Sequence, residues 1–333
     1  MKIALIGCGA VTEHRHLPAL VRRHDCAVVA LVDHNHKRAQ RLAVAAELGT
    51  PKVLTNYHDV LALGIDAAIV AVPNHLHAPV SCELLEAGIH VLVEKPMALS
   101  VAECHEMLEA ARSGQAVLAV GLMRRFLHAT RFTKWAVASG MLGRVLSFDI
   151  RDGIPFNWPL ASDFSFRKAA AGGGVLIDTG PHTLDQLLWW LGDVASVEYY
   201  DNDYGGVESD CELYIELTSG AKGVVELSRT RHLRNTAIIQ GDKAELEVEL
   251  GKNVISLWFA DAPVGIAGQG FPLTHPDLVT QTQIDLIATE HADWLEAIRH
   301  GYTPLVSGTE ALKSVGLIES CYANRQPLHL PWM

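Results

Sequence analysis

The chain opens with a short apolar run, Lys2–Ile6, that stops at Gly7-Cys8-Gly9 before a helical pattern begins at Ala10. Few folds suit that order. A strand covered on both faces reads as an unbroken apolar run, and a helix entered through two glycines implies a turn tight enough to need them. The pattern then repeats. Ala27–Val32, Ala67–Val72, His90–Val93 and Ala116–Val120 are further apolar runs with little alternation, and helical patterns lie between them at Ala10–Arg23, Lys37–Leu48, Ala78–Ala87 and Val101–Ser113. Strands alternating with helices imply a doubly wound parallel sheet with right-handed crossovers.

The second half follows another rule. Cys211, Leu213, Ile215 and Leu217 alternate with Glu212, Tyr214, Glu216 and Thr218, and Ala244 to Leu250 alternate with Glu245, Glu247 and Glu249. A period of two marks an antiparallel sheet with one face covered. Arg144–Arg151, Ser196–Asp203, Gly223–Arg229, Thr236–Gly241 and Val254–Phe259 are further strand candidates. Helices are expected at Gly180–Leu191, Ile284–His300 and Gly308–Asn324, and Ala260–Pro276 reads as a long loop. The expected organisation is an α/β dinucleotide-binding domain over 1–122, then an α+β domain over 123–333 with a large open, mostly antiparallel sheet. At 333 residues with 49% hydrophobic and 20% charged side chains, the chain is long and apolar enough for two cores.

The glycine turn carries chemistry. Gly7-Cys8-Gly9-Ala10-Val11-Thr12 matches the first two glycines of the dinucleotide fingerprint G-x-G-x-x-G and departs at Thr12. Gly7 permits the turn, Gly9 lets the backbone approach a pyrophosphate, and Ala10 and Val11 open a helix whose N–H groups and dipole favour an anion. Thr12 is expected to widen the helix–strand spacing. Asp33, at the end of the second strand, stands where an acid holds the ribose hydroxyls. Its charge favours NAD, while Lys37 and Arg38 nearby leave NADP open.

Two further segments point to proton transfer. Val91-Leu92-Val93-Glu94-Lys95-Pro96 ends a parallel strand in an acid, a base and a proline, at the sheet edge where such folds bind ligands. A partly desolvated lysine there suits acid–base work, although an exposed lysine paired with Glu94 would read the same. Gly172-Gly173-Gly174 precedes Asp178, Pro181 and His182. The glycines would let the backbone approach a ligand, and His182 is either an acid–base or a histidine of the helix cap or core.

Together these motifs resemble the Gfo/Idh/MocA family of NAD(P)-dependent oxidoreductases. Val72-Pro73-Asn74-His75-Leu76-His77, Ala292-Asp293-Trp294-Leu295-Glu296-Ala297-Ile298-Arg299 and Thr303-Pro304-Leu305-Val306 add to the likeness. The resemblance implies a Rossmann domain and an open sheet that mediates homodimers or homotetramers. It implies that Pro73, Asn74 and His77 lie by the cofactor and that Glu94 supports Lys95. Lys95 would assist hydroxyl–carbonyl interconversion, Asp178 would bind substrate, and His182 would be the acid–base. It also implies a cis Lys95–Pro96 peptide. The expected reaction is hydride transfer between nicotinamide and a secondary alcohol or ketone of a sugar, polyol or related molecule. An NAD-dependent glycoside hydrolase and a non-catalytic dinucleotide-binding regulator are the alternatives; keeping Lys95, Asp178 and His182 together argues against the regulator.

For substrate contacts the sequence offers Arg124 and Arg125 after the fifth strand, and Trp158, Asp163 and Arg167 before the glycine run, although a tryptophan serves equally as core. The pairs His14/His16, His34/His36 and His75/His77 lack a cysteine to complete a zinc pattern, so no metal is expected. The net charge of −11 excludes a nucleic-acid binder of the usual basic kind. The apolar run Ile3–Ile6 is too short for a secretory signal, no segment is long enough to span a membrane, and six scattered cysteines suggest reduced thiols; a cytoplasmic protein is expected.

Overall fold

A computed structural model describes residues 1–46, 50–159, 162–259, 266–269 and 281–329. The early apolar runs pair side by side as β1 (Lys2–Ile6), β2 (Ala27–Val32), β3 (Lys52–Leu54), β4 (Ala67–Val70), β5 (His90–Glu94) and β6 (Leu118–Gly121). Every pair is parallel, and the order is β3-β2-β1-β4-β5-β6. Their lack of alternation has a physical cause: Ile3, Leu5, Ile69, Val91 and Val93 are all inaccessible, because helices cover both faces. Burying each such side chain is worth about 1.5–3 kcal/mol. The order reverses between β1 and β4, which opens a crevice at the carboxyl ends of those strands.

The first helix is wound as a π turn over Thr12–His16, where the Leu17 N–H donates to the Thr12 carbonyl, and continues as α1 (Leu17–Leu20). Then come α2 (His36–Ala45), α3 (His77–Glu86) and α4 (Val101–Ser113). The expected helix Ala10–Arg23 thus stops at Leu20, and the expected end of Lys37–Leu48 lies outside the described residues.

The second half builds a nine-stranded sheet from β7 (Val145–Gly153), β8 (Val194–Asp201), β9 (Asp210–Leu217), β10 (Lys222–Ser228), β11 (Thr236–Gly241), β12 (Ala244–Glu249), β13 (Val254–Phe259), β14 (Ile266–Gln269) and β15 (Arg325–Pro327). The order is β14-β13-β12-β11-β7-β10-β9-β8-β15. All pairs are antiparallel except β7 with β10 and β8 with β15. One face packs Phe148, Ile150, Leu213, Ile215, Val225 and Leu246 against α5 (His128–Ala138), the α8 helix (Gly180–Leu191) and α10 (Gly308–Ala323). The short helices α6 (Lys168–Ala171) and α7 (Val175–Asp178) lead into α8. The opposite face carries ion pairs such as Arg151–Glu226 and Arg234–Asp149, with Tyr214 and Trp258 exposed among them. The loop expected over Ala260–Pro276 is corrected at Ile266–Gln269, which pairs with β13; the rest lies outside the described residues.

A late helix packs back onto the first domain. α9 (Gln283–His300) starts at a capping box between Thr282 and Asp285, and its Trp294 and Leu295 fill the core of the first sheet beside Leu17 and Leu20. A segment from the end of the chain thereby braces the helix that leaves the glycine turn. Among the described residues no helix is long and apolar enough to cross a membrane. All six cysteines are free thiols.

Candidate active site

The glycine turn leaves β1 at the crevice. Gly7 adopts φ +97°, and a Cβ there would lie 2.2 Å from the Ala71 carbonyl oxygen, so the turn needs glycine on both counts. Thr12, in place of a third glycine, is buried and donates its hydroxyl to the Gly7 carbonyl at 2.6 Å. The helix that begins there is wound as a π turn over Thr12–His16. Asp33 closes the other side: its carboxylate accepts the Cys8 N–H at 2.9 Å and the Asn35 N–H at 2.8 Å, and Arg38 lies 3.3 Å away. This donor set fits a dinucleotide. The first amides of the helix, at Ala10 and Val11, have no earlier carbonyl to bond and could hold a pyrophosphate, and the Asp33 carboxylate could accept ribose hydroxyls.

Next in the crevice is the end of β5. Lys95 Nζ donates to Asp178 Oδ1 and to the Asp178 carbonyl, each at 2.8 Å. Asp178 Oδ2 accepts from Arg229 Nη2 at 2.9 Å. Burial alone would raise the Asp178 carboxyl, but the adjacent Lys95 and Arg229 charges overcome it and hold the group well below the usual carboxylate range. Four residues on, His182 stands in the first turn of α8. Burial, with the nearby charges of Arg124 and Lys95, holds its imidazole well below its ordinary value, against the pull of Asp178. It is therefore neutral at neutral pH and ready to accept a proton. Its Nδ1 is buried without a partner. Behind it Arg124 pairs with Asp152 at 2.6 Å, and Asp152 also accepts from the Thr183 hydroxyl at 2.9 Å.

The remaining sequence candidates fall into two groups. Asn74 and His77 tie loops together beside the crevice. Asn74 Nδ2 donates to the Ala171 carbonyl at 2.9 Å, next to the glycine run, and Pro73 precedes it at the start of a helical turn. His77 is buried, with Nδ1 2.7 Å from the Pro96 carbonyl and Nε2 2.9 Å from the Val72 carbonyl. Burial keeps it neutral, so it donates to one of the two, and any part it plays at a cofactor is through holding these loops. The Lys95–Pro96 peptide is cis. Trp158 is partly exposed, and the Arg15 guanidinium lies 5.2 Å from its ring centre, which places it against the helix of the glycine turn.

Three expectations need correction. Arg125 is 2% exposed and makes a bidentate pair with the equally buried Asp185 at 2.6 and 2.8 Å, plus a contact to Glu310 at 3.0 Å. It is a core ion cluster and cannot meet a substrate; its neighbour Arg124 is the one that lies by His182. Arg167 is spent at the surface on Asp163. The glycine run serves packing: a Cβ at Gly173 would lie 2.0 Å from the Tyr322 hydroxyl, and one at Gly174 1.8 Å from the Glu208 carbonyl oxygen. Arg229 and Asp152 escaped the sequence reading. The available signal was slight: a basic or acidic residue at the end of a strand whose partners were unknown.

Both halves of the chain are similar to known proteins. Residues 1–122 match the oxidoreductase family model with an NAD-binding Rossmann fold, and residues 130–247 match the GFO/IDH/MocA C-terminal domain. D-glucoside 3-dehydrogenase of Escherichia coli is 32% identical over 218 residues, 63% of this chain but only 60% of that protein's length. The scyllo-inositol 2-dehydrogenase of Bacillus subtilis is 27% identical over 93% of this chain and 90% of its own. Among solved structures, levoglucosan dehydrogenase in complex with NADH and levoglucosan superposes with a TM-score of 0.86 at 22% identity, covering 97% and 96% of the two chains. An aldose-aldose oxidoreductase from Caulobacter crescentus gives 0.85 at 22%, covering 97% of each; both likenesses concern the fold. With both domain models matched in order along one chain, and with the glycine turn and the Glu94-Lys95-Pro96 strand end facing one crevice, this chain belongs to the Gfo/Idh/MocA family of NAD-binding oxidoreductases.

Proposed function

We propose that the protein is an NAD-dependent dehydrogenase that oxidises a secondary alcohol of a sugar or polyol, or reduces the matching ketone. Residues 1–122 hold the dinucleotide and residues 123–333 the substrate. The observation that carries this reading is the contact of Lys95 with Asp178 at 2.8 Å, with a neutral His182 one turn further on. Those groups come from the two halves of the chain and meet at the carboxyl ends of the parallel strands. Relatives named for glucosides and for an inositol support the substrate class.

A bound nicotinamide would supply the hydride acceptor; the protein's residues manage the proton and the charge. Asp178, held ionised by Lys95 and Arg229, accepts hydrogen bonds from substrate hydroxyls. His182 takes the hydroxyl proton at its ring nitrogen, and the Asp178 charge favours the imidazolium that forms. The Lys95 ammonium donates to the developing alkoxide, so its charge counts most in the transition state. Asp33 supports NAD over NADP, because a carboxylate repels a 2′-phosphate. The uncovered sheet face with Tyr214 and Trp258 supports assembly into a homodimer or homotetramer.

The test is Lys95→Ala. Turnover should fall by about 100-fold or more while NADH affinity, read by fluorescence, stays within about threefold. Equal losses in both would make Lys95 a cofactor-binding residue and remove its role in the reaction.

A further inference from the structure

Behind Lys95 lies a buried chain of ionisable groups that the mechanism above does not use. His16 Nε2 stands 2.8 Å from Glu94 Oε1, and His16 Nδ1 stands 2.9 Å from Nε2 of His291. Neither histidine has any exposed surface, and the two rings lie edge to edge, with planes 18° apart and centres 5.2 Å apart. The second Glu94 oxygen accepts the Lys95 backbone N–H at 3.1 Å. Room for this carboxylate comes from Gly121 on β6, where a Cβ would sit 3.2–3.3 Å from its atoms. The three contributors are remote in sequence: the π turn, the end of β5 and α9. Residues two apart on a helical turn face opposite ways, so His14 is exposed while His16 points inward.

The proton positions follow from the chemistry of the groups. Burial opposes ionisation of Glu94, yet the His16 hydrogen bond and the Lys95 charge hold it below the usual range, so it is a carboxylate and can only accept. His16 must therefore donate from Nε2. Burial keeps His291 neutral. A proton on His16 Nδ1 as well would force the single His291 N–H onto its Nδ1, which is buried with no partner. The arrangement free of a stranded N–H has His291 Nε2 donating to a bare His16 Nδ1, which in turn leaves His16 donating to Glu94. Glu290, the neighbour of His291, is buried and held neutral by that burial and by the nearby Glu94 and Asp293 charges, so it adds no second anion. Arg15 and His77 also face Glu94, and Arg23 faces His291.

We propose that His16 and His291 are positioning residues: they lock the Glu94 carboxylate over the Lys95 amide and so fix the backbone from which Lys95 reaches Asp178. The proposal rests on the reading of Lys95 given above. Two measurements test it, and the first needs no substrate. Histidine ring NMR on 15N-labelled protein should show the proton on Nε2 and not Nδ1 in both residues; a proton on His16 Nδ1 would overturn the chain whatever the enzyme acts on. The second compares His16→Leu with His16→Gln, whose amide can still donate to Glu94. On the alcohol found active, the Leu variant should lose turnover by roughly 10- to 100-fold, the value of a hydrogen bond to a charged group, and the Gln variant should recover most of it. KM and NADH affinity should stay within about threefold in both. Equal losses in Leu and Gln, or NADH affinity falling in step with turnover, would reduce His16 to a core residue. A silent substrate panel with the expected tautomers would count against the dehydrogenase reading and not against the chain.

Discussion

Replacing Arg125 by methionine separates a core ion cluster from a substrate contact. The side chain is 2% exposed, and so is Asp185, which it grips at 2.6 and 2.8 Å. Methionine fills similar volume and leaves Asp185 buried without a partner. Breaking a buried pair from one side costs about 3–5 kcal/mol, because the remaining charge keeps its desolvation penalty. The other contacts add little. Glu310 is partly exposed and keeps Lys313 at 3.0 Å, so losing Arg125 there is worth at most about 1 kcal/mol. Stacking on Trp189, whose ring centre is 5.0 Å from the guanidinium, adds roughly 1–2 kcal/mol. Equilibrium urea denaturation followed by tryptophan fluorescence should therefore show a loss of about 4–8 kcal/mol. The double variant Arg125→Met/Asp185→Leu should recover most of it, since an apolar pair of similar volume replaces the buried charges at little net cost. KM of the folded fraction should not move. Stability within about 1 kcal/mol of the parent, together with a KM raised about tenfold, would refute the assignment and return Arg125 to the substrate.

Two further outcomes follow from the geometry. Asp33→Ser should shift the ratio of NADP to NAD affinity by about tenfold or more, equal to ~1.4 kcal/mol, because the carboxylate that repels a 2′-phosphate is gone; an unchanged ratio in fluorescence titrations would move the ribose elsewhere. His77 bears on pH. Its folded value lies below the ordinary 6.5, so the unfolded chain binds a proton that the fold does not, and stability drops as pH falls below 6.5. His182 and His291 act the same way, while Glu290, raised by burial, acts in the opposite sense. Comparing one variant with the parent isolates His77: His77→Gln should lose less stability than the parent between about pH 7.5 and about pH 5.5, and a steeper loss would show that His77 is protonated in the fold.

The parallel sheet was legible because strands buried on both faces must be apolar runs, and because Gly7 and Asp33 mark their ends. β3 escaped because three residues, none of them buried, carry no such run. The alternating strands of the second sheet were equally plain, since one covered face writes a period of two. The two parallel pairings were not, because partner choice depends on segments far apart: β15 reaches β8 from the chain's end. At the site, Lys95, Asp178 and His182 could be named from their motifs. Arg124 and Arg125 could not be told apart, because they leave the same tight turn in different directions and the acids that claim Arg125 lie 60 and 185 residues away. In the sequence His16 is one of three spaced histidine pairs with no cysteine beside them, and only α9, 275 residues on, makes it a buried link. The Gly172–Gly174 run signalled close approach correctly, but to Tyr322 and Glu208 rather than to a ligand.

The most direct test of the central claim is the ultraviolet absorbance of reduced nicotinamide when the purified protein meets NAD or NADP with a panel of sugars, glucosides, inositols and their phosphates. The account predicts that absorbance rises with one class of secondary alcohol, faster with NAD than with NADP, and that Lys95→Ala abolishes the rise. Release of chromophore from a glycoside with no net reduction of NAD would contradict it, as would dinucleotide binding with no turnover of any member of the panel in either direction.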